Sequence, residues 1–432
     1  MAPQCGVDSD CTDETAPVCS GQVCVEKCSQ DSECTDASAS HCDSAGVCVA
    51  CTVDVQCSAE NNPVCDTSSH ECRACEKDGE CASGVCIEAT GDCATEDQLL
   101  FVVDTGSDNA QCSRAAPCKT VAAAVAVVTG QRNVVRLDGT AVKAGAITIT
   151  AGPSRFTVDG AGTTILGTGS DADPIFALHA GTIVRFEGIS AGSAGTNPTL
   201  LSVGGGSASC LAMAGLNYQI GINTGALEIQ GSAITGLSLT GGSADVSIRD
   251  SSLTASAVVL TGGAKIVMQR NQLSGLVSLT GSGTNAPAVT FTDNVLSAHK
   301  PRAVGLHVLG AQPHSVIAFN TLVNDATVDT RFGAILCDAN DDVSNNIFAW
   351  STTQPPSCAT TYSLFDSNTT QTGSGNQSLD VNSFFVDLAN GDFHLAPTSP
   401  AIGAGSALPS VTTDIDGKPR ATPPAIGAYE GP

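Results

Sequence analysis

The chain has 432 residues, 43 acidic against 18 basic, for a formal net charge of -25. Such a surface is repelled by nucleic acid and by anionic membranes, and it meets polyanions poorly unless cations bridge them. Its 45 Gly and few aromatics suit short strands joined by tight turns, and its longest strongly apolar run, Val121 to Val128, is far too short to span a bilayer.

Sixteen of the 21 cysteines lie between Cys5 and Cys93. They fall into four repeats: Cys5, Cys11, Cys19, Cys24; Cys28, Cys34, Cys42, Cys48; Cys51, Cys57, Cys65, Cys72; and Cys75, Cys81, Cys86, Cys93. Little apolar residue lies between them, so disulfides must supply most of the stability of 1–96, which implies an oxidising compartment. Four cysteines allow three pairings per repeat; sequence does not choose, and first–third with second–fourth is preferred. Zinc is the competing use, because Cys48/Cys51 and Cys72/Cys75 are CxxC pairs, but neither stands beside a second pair at zinc-ribbon spacing. Met1-Ala2-Pro3-Gln4 carries no secretory signal, so the expectation is a mature exported chain.

These repeats resemble the extracellular Cys-rich repeats of myxobacterial and related surface proteins. The resemblance covers about a fifth of the chain and implies export rather than an activity.

Residues 97–132 read as a strand, LLFVV, a loop that Cys112 and Cys118 would staple, and a short helix over 119–128. The helix would cover the open apolar end of the first coils. Val103-Asp104, Gly106-Ser107-Asp108-Asn109 and Pro117-Cys118-Lys119-Thr120-Val121 resemble the start of secreted right-handed parallel β-helix proteins of the pectin-lyase-like superfamily.

Over 133–381 a block recurs, ending on Ile234, Leu253, Leu273, Leu296, Leu322 and Phe348, at spacings of 19, 20, 23, 26 and 26 residues. Five positions earlier stand Ile229, Ile248, Met268, Phe291, Ile317 and Val343. Self-similarity at this period signals a solenoid whose equivalent side chains stack from coil to coil. Ser232 and Ser251 give way to Asn271, Asn294, Asn320 and Asn346 two positions before each block end, a column expected to form a ladder of side-chain amides at a turn. The superfamily shows such ladders. One position before them stand Asp250, Arg270 and Asp293, read as a surface ion ladder. Thr240, Thr261 and Thr280, each followed by Gly, are expected in file on an outer face. That raises ice binding as a rival use of the coils, against the general preference of strands for Thr. Cys337 and Cys358 are expected to pair, leaving Cys210 as a buried inert thiol.

Residues 382–432 are a different text. Phe385, Asp387, Gly391-Asp392-Phe393-His394-Leu395, Ser399-Pro400-Ala401-Ile402, Asp414, Asp416-Gly417, Arg420 and Gly427-Ala428-Tyr429-Glu430 closely resemble the ending of β-helix proteins of the choice-of-anchor Q group. Gly403 and Ala425 stand where that group usually has Asp. No sorting signal follows Glu430, so an anchor is expected to be absent or removed.

The architecture expected is therefore all-β: a right-handed parallel β-helix, its hand implied by the resemblance to the pectin-lyase-like superfamily, with a short N-terminal capping helix, preceded by a small disulfide-rich module. Catalytic signatures are sparse. Of the polygalacturonase set N-x-D, D-D, G-H-G and R-x-K, only Asp341-Asp342 occurs, and no catalytic residue is assigned. The candidate ligand site is His299, Lys300, Arg302, His307 and His314, a basic cluster suited to an anionic sugar and less to a metal. Asp414-x-Asp416-Gly417 looks like part of a calcium loop without its later ligands, so calcium is the one cofactor left open. The functional expectation is a secreted or cell-surface structural or adhesive protein that binds an extracellular glycan or surface partner without catalysis. The alternative is a polysaccharide lyase or glycoside hydrolase.

Overall fold

The computed structural model describes residues 7, 10–12, 18–20, 23–25, 27–57, 62–144, 147–149, 155–160, 162–167, 175–179, 181–193, 199–216, 219–263, 265–281, 286–298, 305–324, 335–350, 358–366 and 372–432. The chain divides into two compact units, Met1–Leu99 and Leu100–Pro432.

In the first unit each described repeat is a short 3-10 turn followed by a two- to three-residue hairpin. The third and fourth cysteines sit directly opposite each other in the hairpin: Cys42 against Cys48, Cys65 against Cys72, Cys86 against Cys93. They cannot bond each other and also hold the turn, and they reach back instead. The bonds are Cys28–Cys42, Cys34–Cys48, Cys51–Cys65, Cys57–Cys72, Cys75–Cys86 and Cys81–Cys93. An Asp of each turn locks the same joint: Asp31, Asp54 and Asp78 accept from the N–H groups of Cys42, Cys65 and Cys86. The sulfurs of neighbouring bridges crowd within metal-binding distance of one another. They are oxidised, so they offer no thiolate to zinc.

The second unit is a parallel β-solenoid. Three stacks of strands, here sheets A, B and C, run its length. Sheet A is lined inside by Val135, Val158, Phe186, Cys210, Ile229, Ile248, Met268, Phe291, Ile317 and Val343, all in register. Sheet B is lined by Ile234, Leu253, Leu273, Leu296, Leu322, Phe348 and Phe365. Sheet C carries Ile220, Leu239, Val258, Val277, Leu306 and Ile335. These columns join in one continuous buried core. Cys210 lies in it as a free thiol, whose pKa burial pushes up to about 12. Cys112–Cys118 and Cys337–Cys358 are bonded.

The capping helix is shorter than the sequence suggests, Val121–Ala126, with Val121 and Ala124 buried against the first coils. Thr120 caps it by accepting from the N–H of Ala123. Asp108 fixes that cap in turn, accepting from the N–H groups of Lys119 and Thr120 and from the Thr120 hydroxyl.

Sheets A and B meet at a tight turn whose central residue is left-handed in coil after coil. Gly231, Asp250, Arg270, Asp293, Phe319, Asn345 and Tyr362 all have positive φ. The residue after each carries the ladder. The N–H of Met213 donates to Ser232 Oγ, Ser232 N–H to Ser251 Oγ, and Ser251 N–H to Asn271 Oδ1. Asn271, Asn294 and Asn320 N–H then donate to Asn294, Asn320 and Asn346 Oδ1. Asn346 N–H donates to Ser363 Oγ, and Ser363 N–H to Asn376 Oδ1. Each amide also donates backward: Asn294 Nδ2 to Met268 O and Asn320 Nδ2 to Phe291 O. One side chain therefore ties three coils, and the column is longer at both ends than its Asn members.

The threonine file differs from expectation. Thr240 stands beside Val259, and only Thr261 and Thr280 are partners. The coil spacing there is nineteen residues, whereas the recurring Leu-Thr-Gly text repeats after twenty-one. Among the described residues Thr240, Thr261 and Thr280 form no continuous file.

Asn294→Leu should take away the Asn294 side-chain partner of the Asn271 N–H, of Asn271 Nδ2 and of the Met268 carbonyl and cost about 1–3 kcal/mol. Thr261→Ser, on the exposed face, should cost less than about 0.5 kcal/mol. Thermal melts of the two variants check this, and equal destabilisation would contradict the register.

Candidate functional site

Two regions of the second unit gather chemistry-bearing side chains: the C-terminal segment where it lies on sheet B, and the outer face of sheet A.

From Asp293 onward the outer face of sheet B turns apolar. Ser252 and Gln272 give way in the same column to Val295, Thr321, Ile347 and Leu364, with Val323 and Ala349 beside them. The C-terminal segment covers these positions with Phe384, Phe385, Phe393, Leu395, Ala425, Ile426, Ala428 and Tyr429 in a second core. It lies as a strap along the coils. Gly427 allows the closest approach: its φ is +97, and a Cβ there would meet Ile347 Cδ1 at 2.6 Å. Asn345 exchanges hydrogen bonds with the backbone of Ser406.

Arg420 pins the strap. Its side chain is 3% exposed and reaches Asp293, 0% exposed, at 2.7 Å. It also reaches Glu430 at 3.4 Å and the carbonyl of Gly427 at 3.0 Å, and it lies 4.1 Å over the ring of Phe319. The expected ion ladder is thus corrected. Arg270 holds Asp250 alone through two hydrogen bonds, while Asp293 is buried and belongs to Arg420, 127 residues away. A Phe with positive φ is an uncommon choice at that turn. Phe319 sits there as the seat on which Arg420, Val411 and Leu408 rest.

His394 staples the strap to itself. Nδ1 lies 2.6 Å from Asp392, Nε2 lies 3.1 Å from Asp416, and the ring packs on Tyr429. Desolvation opposes its proton, but the two carboxylates prevail and raise its pKa above the ordinary histidine value. The calcium candidates are occupied by protein partners. Asp414 Oδ1 accepts from the N–H groups of Asp416 and Lys418, Asp414 Oδ2 accepts from Glu430 N–H, and Asp416 holds His394.

Of the basic cluster, His299, Lys300 and Arg302 lie outside the described residues. His307 points outward from sheet C between Ser278 and Leu336, and burial lowers its pKa. His314 stands at a separate turn, 3.3 Å from Asp342.

The outer face of sheet A carries more charge than the spacing suggests. Arg136, Asp159 and Glu187 are register partners on successive coils, all buried. Two carboxylates thus stack beside a cation in this column. Arg136 grips Asp159 at 2.6 Å, and Arg185 lies 3.8 Å from Glu187. The Arg136–Asp159 contact ties two neighbouring coils together.

Next to it lies an open trough of about 430 Å³. Ser207, Ser209, Ala226 and Ser247 form its low floor, and Arg185, Glu228, Asp245, Arg249 and Lys265 stand around it. The depression exists because small residues stack in register beneath long ones. Sequence reasoning missed it, since its charged members occupy three different columns. Comparison with family models and with curated proteins returned no match for this chain.

Burial pushes the pKa of Asp293 up to about 6, against the pull of Arg420. Its ordinary value is 3.8, so the folded chain holds this proton at pH values where the unfolded chain has released it. The stability it contributes is complete below the ordinary value and is lost as pH rises through about 6; the raised His394 acts in the same sense. The strap should therefore lose protection from limited proteolysis as pH rises from about 4 to about 7, and Asp293→Asn should flatten that dependence. A strap that loosens on acidification would contradict this.

Proposed function

We propose that this chain is a secreted or cell-surface structural and adhesive protein that binds an extracellular glycan without cleaving it. The observation that carries this reading is the shape and chemistry of the outer face of sheet A. The trough is shallow and open along the coil axis, and it mixes hydroxyls with charges of both signs. Such a face suits one side of an extended polymer strand more than an enclosed substrate.

Other observations support it. Six described bridges in the first unit, with Cys112–Cys118 and Cys337–Cys358, fit an oxidising extracellular setting. No described helix is long and apolar enough to cross a membrane. The resemblances of the N-terminal repeats to myxobacterial surface proteins, of the coils to pectin-lyase-like β-helices and of the strap to the choice-of-anchor Q group favour the same setting. On sheet C the outer column Gly221, Thr240, Val259, Ser278, His307, Leu336 is small and mostly neutral, which favours a scaffold over a reaction cleft.

A glycan-array screen run beside lyase and reducing-sugar assays tests this. Binding without release of unsaturated or reducing ends is the expected result. Turnover of a bound glycan would make the chain an enzyme instead, and absence of any glycan binding would remove the adhesive reading.

A further inference from the structure

We propose that the sheet A trough is a binding site for an acidic oligosaccharide, held through Arg249 and Lys265 with Glu228 on the coil next to that of Arg249. This rests on the glycan-binding reading above and narrows it to one site and one ligand class.

Cations are scarce on this chain, and several of those in the second unit are already paired. Arg136 is engaged with Asp159, Arg270 with Asp250, and Arg420 with Asp293. Arg249 and Lys265 are different. Among the described residues neither forms an ion pair, and neither side chain donates a hydrogen bond, although both line one depression. The nearby Asp245 is partly committed, since its Oδ1 accepts from the N–H of Lys265. The trough therefore holds unused guanidinium and ammonium donors. It also holds a carboxylate, Glu228, which accepts only a long 3.4 Å contact from Ser209 among the described residues.

That set selects a ligand by its chemistry. Arg249 and Lys265 need an anionic oxygen group. Glu228 accepts hydrogen bonds and repels anions, so a bare inorganic anion or a polyphosphate fits badly. A molecule with anionic groups spaced along a backbone of hydroxyl donors satisfies both, which is an acidic saccharide. Size agrees. Arg249 and Lys265 are one coil and four strand positions apart. That places their Cα atoms ~14 Å from each other, a span for linked rings rather than one.

The electrostatic setting is permissive in the second unit. Residues 1–99 hold 20 of the 43 acidic residues and 3 of the 18 basic ones, so much of the negative charge lies outside the coils. Affinity should nonetheless be modest and should fall with salt.

The test uses the full chain. Oligosaccharides of equal length, one bearing carboxylates, one bearing sulfate esters and one neutral, are titrated by calorimetry at low salt into the protein and into Arg249→Gln/Lys265→Gln. The expected result is binding of at least one acidic ligand and weaker or no binding of the neutral one. The double variant should bind the acidic ligand about tenfold more weakly or worse, with an unchanged thermal melt. The carboxylate and sulfate arms identify which anionic group is taken. Glu228→Gln should retain the acidic ligand while losing discrimination against a bare anion, tested with inorganic sulfate as competitor. Equal binding of the neutral ligand, or unaltered acidic binding by the double variant, would overturn this inference and leave the glycan-binding reading standing. Failure of all three ligands, with an empty glycan array, would remove both.

Discussion

From Met213 onward the coils of the solenoid depend on one recurring hydrogen bond, from the N–H that follows a left-handed turn to a side-chain oxygen on the next coil. A left-handed residue points its neighbour's N–H along the axis, where strand pairing would otherwise leave it buried and unsatisfied. Ser or Asn at the following position answers it, and Asn also returns a donor to the coil behind. The column runs from Met213 to Asn376 without a missing acceptor. Because each member holds two neighbours, slipping one coil by a residue would unseat the coils above and below it. That constraint sets the register, and the register sets which outward side chains meet.

The strap and the trough are both products of that register. On sheet B, the switch from Ser252 and Gln272 to Val295 and Ile347 creates an apolar stripe along one side of the coils. A buried ion pair is a poor source of net stability but a good source of position. Arg420 can satisfy Asp293, Glu430 and the face of Phe319 only in one placement of the strap. On sheet A, the same register sets Ser207, Ser209, Ala226 and Ser247 low between long side chains and opens the depression.

Much of the fold is legible in the residues. The block ends and the residues five before them are the inner columns of sheets B and A, and the Asn column is the ladder. These are readable because burial and turn chemistry impose the same residue type at each coil. The outward columns carry no such demand. Leu-Thr-Gly repeats as text, yet Thr240 faces Val259, because the chain advances nineteen residues per coil there. By spacing, Asp293 reads as one more member of a charged file. Its partner Arg420 is beyond any local spacing, and only a Phe in a turn that favours Gly, Asn or Asp hints at a seat. Arg185, Glu228, Asp245, Arg249 and Lys265 meet across five coils at unlike positions in the repeat, so no motif gathers them.

The central claim is that the side-chain ladder couples the coils into one cooperative body. Residue-resolved hydrogen exchange of the full chain tests it most directly. The N–H groups of Met213, Ser232, Ser251, Asn271, Asn294, Asn320, Asn346 and Ser363 should exchange together, at the slowest rate in the solenoid and with a common dependence on denaturant. Exchange that proceeds coil by coil from one end, with each of these groups opening independently of its neighbours, would contradict the account.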